Sequence, residues 1–268
     1  LAAGSERGYI AADFGTHDEQ EAATLVTTGV AGIISGPGWM GGWPLGEMKT
    51  DDIVLKPYPY PAGPDGAIGR IGTKLSYGSY VFRRGFEHYD AVFAYYDEVY
   101  GSLSEDPESD FAIGYAEGYD YVIQDGKPVY DFPGRTNTLT AYFLIAPGSA
   151  PPGAVPGPSI ESRVFAGQVS TNYERKVAAT SSRLYLEGQV VSERQMKSAQ
   201  AEQFMGPHTP TMTLQWSWLQ ELEKKTFLQI VYGKLPPDAF DAFVRDWFAS
   251  GGSDITREVN AWYEATGG

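Results

Sequence analysis

The chain has 268 residues and is 42% apolar, enough to bury the core of one large domain or two lobes. Its 20 basic residues stand against 34 acidic ones, and the formal charge of -14 repels phosphate backbones and argues against a nucleic-acid partner. Cysteine is absent, so there is neither a disulfide framework nor a thiolate metal site.

The three histidines, His17, His88 and His208, lie far apart and show no metal-ligand spacing. No apolar run approaches the roughly 18 residues that a membrane-spanning helix needs. Aromatic residues make up 14% of the chain, including 6 Trp and 18 Tyr, too many for the interior alone. An aromatic-lined binding surface is therefore expected.

In chain order, the first clear helix is expected over 17–28, opened by a Thr16-x-x-Glu19 capping box and stopped by Gly29. The β-branched run Val30 to Ile34 reads as a buried strand. It leads into a glycine-rich turn, Ser35 to Pro44, carrying Trp39 and Trp43. Ile53 to Leu55 and the proline-interrupted Lys56 to Pro61 suggest an extended edge segment, and Pro64-Asp65-Gly66 a turn.

A strand is expected at Tyr80 to Phe82. A helix then runs over 87–100, with Tyr89, Val92, Phe93, Tyr96, Val99 and Tyr100 on one core-facing side. Tyr119 to Tyr130 forms a hairpin around Asp125-Gly126, a pair suited to a type I′ turn. The proline-rich stretch from Pro147 to Pro158 is a loop or linker.

The remainder is mostly helical. Thr209-Pro210 opens a helix as N-cap and first residue, and Gly233 ends it. Phe240, Phe243, Val244 and Trp247 stripe the next helix, stopped by Gly251-Gly252. Ile255, Val259 and Trp262 stripe the last one.

Chemistry-bearing patterns are sparse. The sequence holds no G-x-S-x-G elbow, no phosphate-cradling P-loop and no EF-hand loop. The acidic run from Glu105 to Asp110 reads as a solvated loop. Paired carboxylates for glycoside hydrolysis are defined by separation in space, which 34 acids in a sequence do not specify.

The aromatic residues carry more. Trp39 and Trp43 sit on a tight turn where a ring is hard to bury, and sugar C–H faces pack flat against such rings. Trp216 and Trp218 are two apart on a helix and point to different sides, so at most one lines a cleft. Trp247 and Trp262 belong to core stripes.

Several stretches resemble the family 1 extracellular solute-binding proteins of the lipoprotein type. The most specific is Phe243-Val244-Arg245-Asp246-Trp247 with Gly251-Gly252-Ser253-Asp254-Ile255-Thr256 and Glu258-Val259-Asn260-Ala261-Trp262-Tyr263. Thr209-Pro210-Thr211-Met212, Ile230 to Gly233, Thr28 to Ile33, Gly36-Pro37-Gly38-Trp39 and Gly63-Pro64-Asp65-Gly66 fit as well, as does the hairpin from Glu117.

The resemblance implies an α/β, two-lobe periplasmic-binding-protein-like type II fold, of which this chain is the C-terminal half. Residues 1–68 are then part of the second lobe, 69–135 the returning part of the first, and 136–268 the mostly helical remainder of the second. An N-terminal fragment is expected to complete the fold.

Trp39 matches the family's sugar-stacking tryptophan, although the inserted Gly38 departs from its pattern. Trp216 or Trp218 matches a second stacking residue, and Tyr77 and His208 are further ligand-binding candidates. The resemblance also implies a sugar or oligosaccharide ligand, an ABC transporter permease as partner and no cofactor. It implies an extracellular, membrane-anchored lipoprotein (or a periplasmic protein), touching the membrane only through an N-terminal lipid anchor absent from this chain. A carbohydrate-active enzyme or its carbohydrate-binding domain is the alternative, and a surface-interaction protein using the aromatic patch a third reading.

Overall fold

The computed structural model describes residues 1–46, 53–72, 80–97, 110–114, 116–136 and 159–267. Of the sequence expectations, Tyr77, the acidic run from Glu105 to Ser109, Val99, Tyr100 and the proline-rich stretch lie outside these residues. The architecture is helix-rich and mixed α/β, with short two-stranded pairings, and the chain divides into two compact units. Among the described residues no helix is long and apolar enough to cross a membrane.

One unit, here the terminal unit, contains Leu1–Ile34, Arg70–Tyr77 and Ala199–Gly268. Its first helices are α1 (Ala2–Glu6) and α2 (Glu19–Thr27). The capping box of α2 lies two residues beyond the expected one. Asp18 accepts from the Glu21 amide at 2.8 Å, and the Glu21 carboxylate accepts from the Asp18 amide at 2.9 Å. Thr16 instead ends a 3₁₀ turn at Phe14–Thr16. An Asp carboxylate closes the box as a Thr hydroxyl does, and both are favoured N-caps.

The expected strand after α2 does not form. The amides of Val30 and Ala31 both return to the Leu25 carbonyl, at 2.9 and 2.8 Å, so they close the helix end instead of joining a ladder. Val30 and Ile33 are exposed. The strand pair of this unit is elsewhere: β1 (Arg70–Ile71) lies parallel to β4 (Ala199–Gln200).

The longest element, α8 (Pro210–Val231), starts as its sequence dictates. Thr209 caps it by accepting from the Met212 amide at 3.2 Å, and Pro210 occupies the first turn, where its missing N–H costs nothing. The next helix, α9 (Ala239–Trp247), ends in a kink within Phe248–Gly252, where Ser250 and Gly251 leave helical geometry, and α10 (Ser253–Ala265) follows. Gly251 takes φ 118°, a left-handed conformation that a side chain would strain.

Met212, Leu219 and Ile255 form the core of this region, with Phe204, Trp216, Trp247 and Val259 packed around it. Trp247, half-buried, packs against this core, and Trp262, also half-buried, meets Phe204 edge-on at 4.9 Å. The Glu258 carboxylate on α10 accepts from the Thr211 amide and hydroxyl at 3.2 and 2.8 Å, clamping the last helix to the start of α8. The hydroxyls of Thr209 and Thr211 hold that carboxyl below its ordinary value.

The central unit contains Ser35–Gly69 and Gly78–Ser198. Its helix α3 (Tyr89–Tyr96) has no buried residue, contrary to the core face read from its periodicity. Tyr80 to Phe82 is not a strand either. Phe82 packs its ring on Phe86 and Tyr89 at 5.0 and 5.2 Å, a local aromatic cluster without a ladder partner among the described residues.

A short helix α4 (Asp110–Ile113) precedes the hairpin β2 (Val122–Gln124) and β3 (Lys127–Val129). The hairpin closes in the expected register, Gln124 opposite Lys127. Asp125 and Gly126 both take positive φ, as a type I′ turn requires.

The described residues of the unit also form α5 (Ile160–Phe165), α6 (Asn172–Thr180) and α7 (Arg183–Arg194). The Glu193 carboxylate of α7 accepts from the Ser159 amide and hydroxyl and from the Ser162 hydroxyl, tying α7 to the start of α5. Glu174, only 4% exposed, pairs with Arg163 at 2.8 Å and accepts from Ser170 and Thr171. Burial pushes its carboxyl up. The Ser170 amide, the Arg163 guanidinium, the Thr171 amide and the Ser170 hydroxyl outweigh that and bring it to about 2.

Glu174→Gln is expected to cost about 1–3 kcal/mol in urea unfolding, the scale of a charge-assisted hydrogen-bond set that is broken in a buried place. Because the folded value is depressed from 4.5 to about 2, the contribution is full above pH 4.5 and is lost as pH falls through 2. The stability gap between parent and variant should therefore narrow across that window, and a gap that widens on acidification contradicts the assignment.

Candidate functional site

The turn that carries the first two candidate tryptophans is built by close backbone contact. A 3₁₀ segment, Gly38–Gly41, lies directly against α7. A β-carbon on Gly188 would meet the Gly38 carbonyl oxygen at 2.6 Å, and one on Gly41 would meet the Leu184 carbonyl oxygen at 2.6 Å. Neither surface has room for a side chain. The Ser182 hydroxyl, which caps α7, also donates to the Gly41 carbonyl at 2.8 Å. Met40 is buried, so the turn is anchored by its middle while its flanking residues face outward.

Those flanking residues are the two indoles. Trp39 and Trp43 are each 44% exposed, and their rings lie 6.4 Å apart at an interplanar angle of 22°. The two indoles stack on one another, nearly parallel and each half-exposed, rather than plugging a core.

Polar groups come from α7 and α5 beside it. Gln189 and Ser192 are the nearest side chains to Gly38. Gln189 donates to the Tyr185 phenol at 3.2 Å, and that phenol donates to Glu161 at 3.2 Å. Burial is the largest reason that the Tyr185 phenol sits above its ordinary value. The bond from Gln189 works against the rise, and the Glu161 carboxylate adds to it. The phenol thus stays protonated, its one O–H committed to Glu161, while Gln189 donates to its oxygen.

The late-helix tryptophans belong to the terminal unit and separate as their spacing requires. Trp216 is half-buried against the Met212–Leu219–Ile255 cluster. Trp218, 50% exposed, lines a groove of about 520 Å³ with Thr211, Gln215, Ser250, Gly251 and Asp254. His208 is exposed just before the Thr209 cap, and Tyr77 lies outside the described residues.

The structure therefore brings Trp39 together with Trp43, and Trp218 together with polar side chains that the sequence did not single out. Thr211, Leu214, Gln215 and Trp218 recur at i, i+3, i+4 and i+7, so helical periodicity could have grouped them. Ser250 and Asp254 join them only through the kink between α9 and α10. Tyr185, Gln189 and Glu161 had no signal in the sequence, since their nearness to the turn depends on how α7 packs.

Among the described residues no group of three or more His, Asp or Glu converges in a way that could hold a metal ion. What the turn offers chemically is a pair of ring faces beside hydrogen-bonding groups. No family model, curated protein or solved structure matches the chain.

Gly188→Ala tests how the platform is held. In an ordinary helix interior this change gains about 1 kcal/mol, whereas forcing a methyl group into a close-packed contact costs about 1–3 kcal/mol. Here the carbonyl at 2.6 Å is backbone and cannot swing away. The expected result is a net loss of up to about 2 kcal/mol, with a weakened near-ultraviolet circular-dichroism signal from the coupled indoles. A more stable variant with an unchanged spectrum contradicts this packing.

Proposed function

We propose that this chain belongs to the extracytoplasmic solute-binding component of an ABC importer, which captures a sugar or oligosaccharide and delivers it to a membrane permease without altering it. The observation that carries the reading is the exposed Trp39–Trp43 pair. Pyranose rings present apolar C–H patches of the width of an indole and bury them against such faces. Their hydroxyls need neighbours that donate and accept. The Gln189–Tyr185–Glu161 chain offers both.

The resemblance of the C-terminal stretches to family 1 solute-binding proteins supports the same reading. It extends the proposal to a two-lobe type II fold, an extracellular or periplasmic location and a lipoprotein anchor. In such proteins the ligand-bound form is favoured by its extra contacts with the guest and is the form that the permease meets.

Intrinsic tryptophan fluorescence under titration with gluco-, manno- and xylo-oligosaccharides tests the reading. The parent protein should respond saturably to at least one series and release no reducing sugar. Trp39→Ala and Trp43→Ala should each weaken binding by about 0.5–1.5 kcal/mol, the scale of one aromatic stacking contact, or about 2- to 12-fold in Kd. Release of reducing sugar that a single carboxylate substitution abolishes would move the chain to the carbohydrate-active enzymes. Affinities indifferent to both substitutions would remove the platform.

A further inference from the structure

We infer that the groove between α8 and α9 in the terminal unit binds a small, soluble organic cation that carries a trimethylammonium group. The inference goes beyond the saccharide reading and stands on different residues.

The sequence gives α9 an apolar stripe, and the structure leaves it open, with no residue of α9 buried. Phe240 and Phe248 are 42% and 47% exposed, and Phe227 of α8, which meets Phe240, is 43% exposed. With Phe243, Trp247 and Glu223 they line a cavity of about 290 Å³, just under the roughly 300–1,000 Å³ of drug-sized sites. The rings stand at steep angles to one another. Phe227 meets Phe240 and Phe243 at 70° each, with centroids 5.8 and 6.0 Å away, and Trp247 meets Phe248 at 90° and 5.3 Å. Walls set at such angles suit a compact guest rather than a flat one. A β-carbon on Gly252 would strike the Trp247 ring, so that indole keeps its place because Gly252 is bare.

The charged group of the cavity is a carboxylate. Glu223 stands one turn before Phe227 on the same side of α8. Among the described residues no Lys, Arg or His lies within ion-pair distance of it. An anion would be repelled there, and an uncharged apolar guest would gain nothing from the carboxylate. A cation gains twice, from Glu223 and from the negative ring faces. Trimethylammonium suits the place better than a bare ammonium, because its methyl groups are buried against the phenylalanines while its charge is kept. The chain's formal charge of -14 draws cations toward it.

The test is a ¹H–¹⁵N NMR titration of the parent, Glu223→Gln and Phe240→Leu, read at the indole signal of Trp247. The probes are choline and its uncharged isostere 3,3-dimethylbutan-1-ol, in which carbon replaces the nitrogen. Both replaced side chains are exposed, and far-ultraviolet circular dichroism checks folding. Phe240→Leu keeps an apolar side chain and removes only the ring.

Choline should shift Trp247 saturably and leave Trp39 and Trp43 in place, so the result is read apart from any saccharide response. The isostere should bind at least about threefold more weakly, the scale of an exposed cation–π contact. Glu223→Gln and Phe240→Leu should each weaken choline about two- to fivefold and change the isostere less. Equal affinity for choline and the isostere, indifferent to Glu223→Gln, would overturn the inference, as would a Trp247 signal that choline does not move. The parent should also stay in the supernatant when phosphatidylcholine vesicles are sedimented. Sedimentation that choline reverses would overturn the soluble guest in favour of a lipid head group.

Discussion

The backbone contact between the Gly38–Gly41 turn and α7 is the constraint on which the proposed platform depends. With Gly188 and Gly41 both bare, the turn approaches the helix to a distance that no β-carbon tolerates. The buried Met40 and the Ser182 cap then fix the turn in place. Trp39 and Trp43 are left on its outer side, half exposed and nearly parallel. Two large apolar rings held open to water carry a standing cost in exposed surface. Rigid anchoring makes that cost useful, because the rings need not be ordered again when a flat guest arrives.

The carboxylates illustrate a second principle of the chain. Its acidic excess makes many of its carboxyls mutually repelling, yet three of them are turned inward to join elements. Glu174 and Glu193 bind α5, α6 and α7 together, and Glu258 ties α10 to the start of α8. Each accepts from backbone amides or hydroxyls near a helix start, where partial positive charge from the free N–H groups favours an anion. In this way the sequence spends part of its negative charge on fixing helix ends rather than on binding.

Local chemistry was legible where a few adjacent residues decide the outcome. Thr209-Pro210, the Asp125-Gly126 hairpin and the Gly251-Gly252 break all fall where short-range rules place them. Reading failed where a partner was required. Val30 to Ile34 and Tyr80 to Phe82 have the composition of strands, but a strand exists only with a neighbour to bond, and the Val30 and Ala31 amides turn back to their helix instead. The stripe on α3 promised a core face, yet none of the helix's residues is buried, and its described ring contacts are with the nearby Tyr80, Phe82 and Phe86. The site divides in the same way. The exposed tryptophan turn followed from its glycines and prolines. The grouping of Gln189, Tyr185 and Glu161 beside it, and of Asp254 beside Trp218, depends on tertiary packing that no spacing encodes.

The most direct measurement of the central claim is an indole ¹H–¹⁵N NMR titration of the protein with an oligosaccharide, resolving its six tryptophans. If sugar rings settle on the anchored turn, the indole N–H signals of Trp39 and Trp43 shift saturably while those of Trp247 and Trp262 in the terminal unit stay in place. Signals that remain fixed for Trp39 and Trp43 at saturating ligand, or that move equally for all six, contradict it.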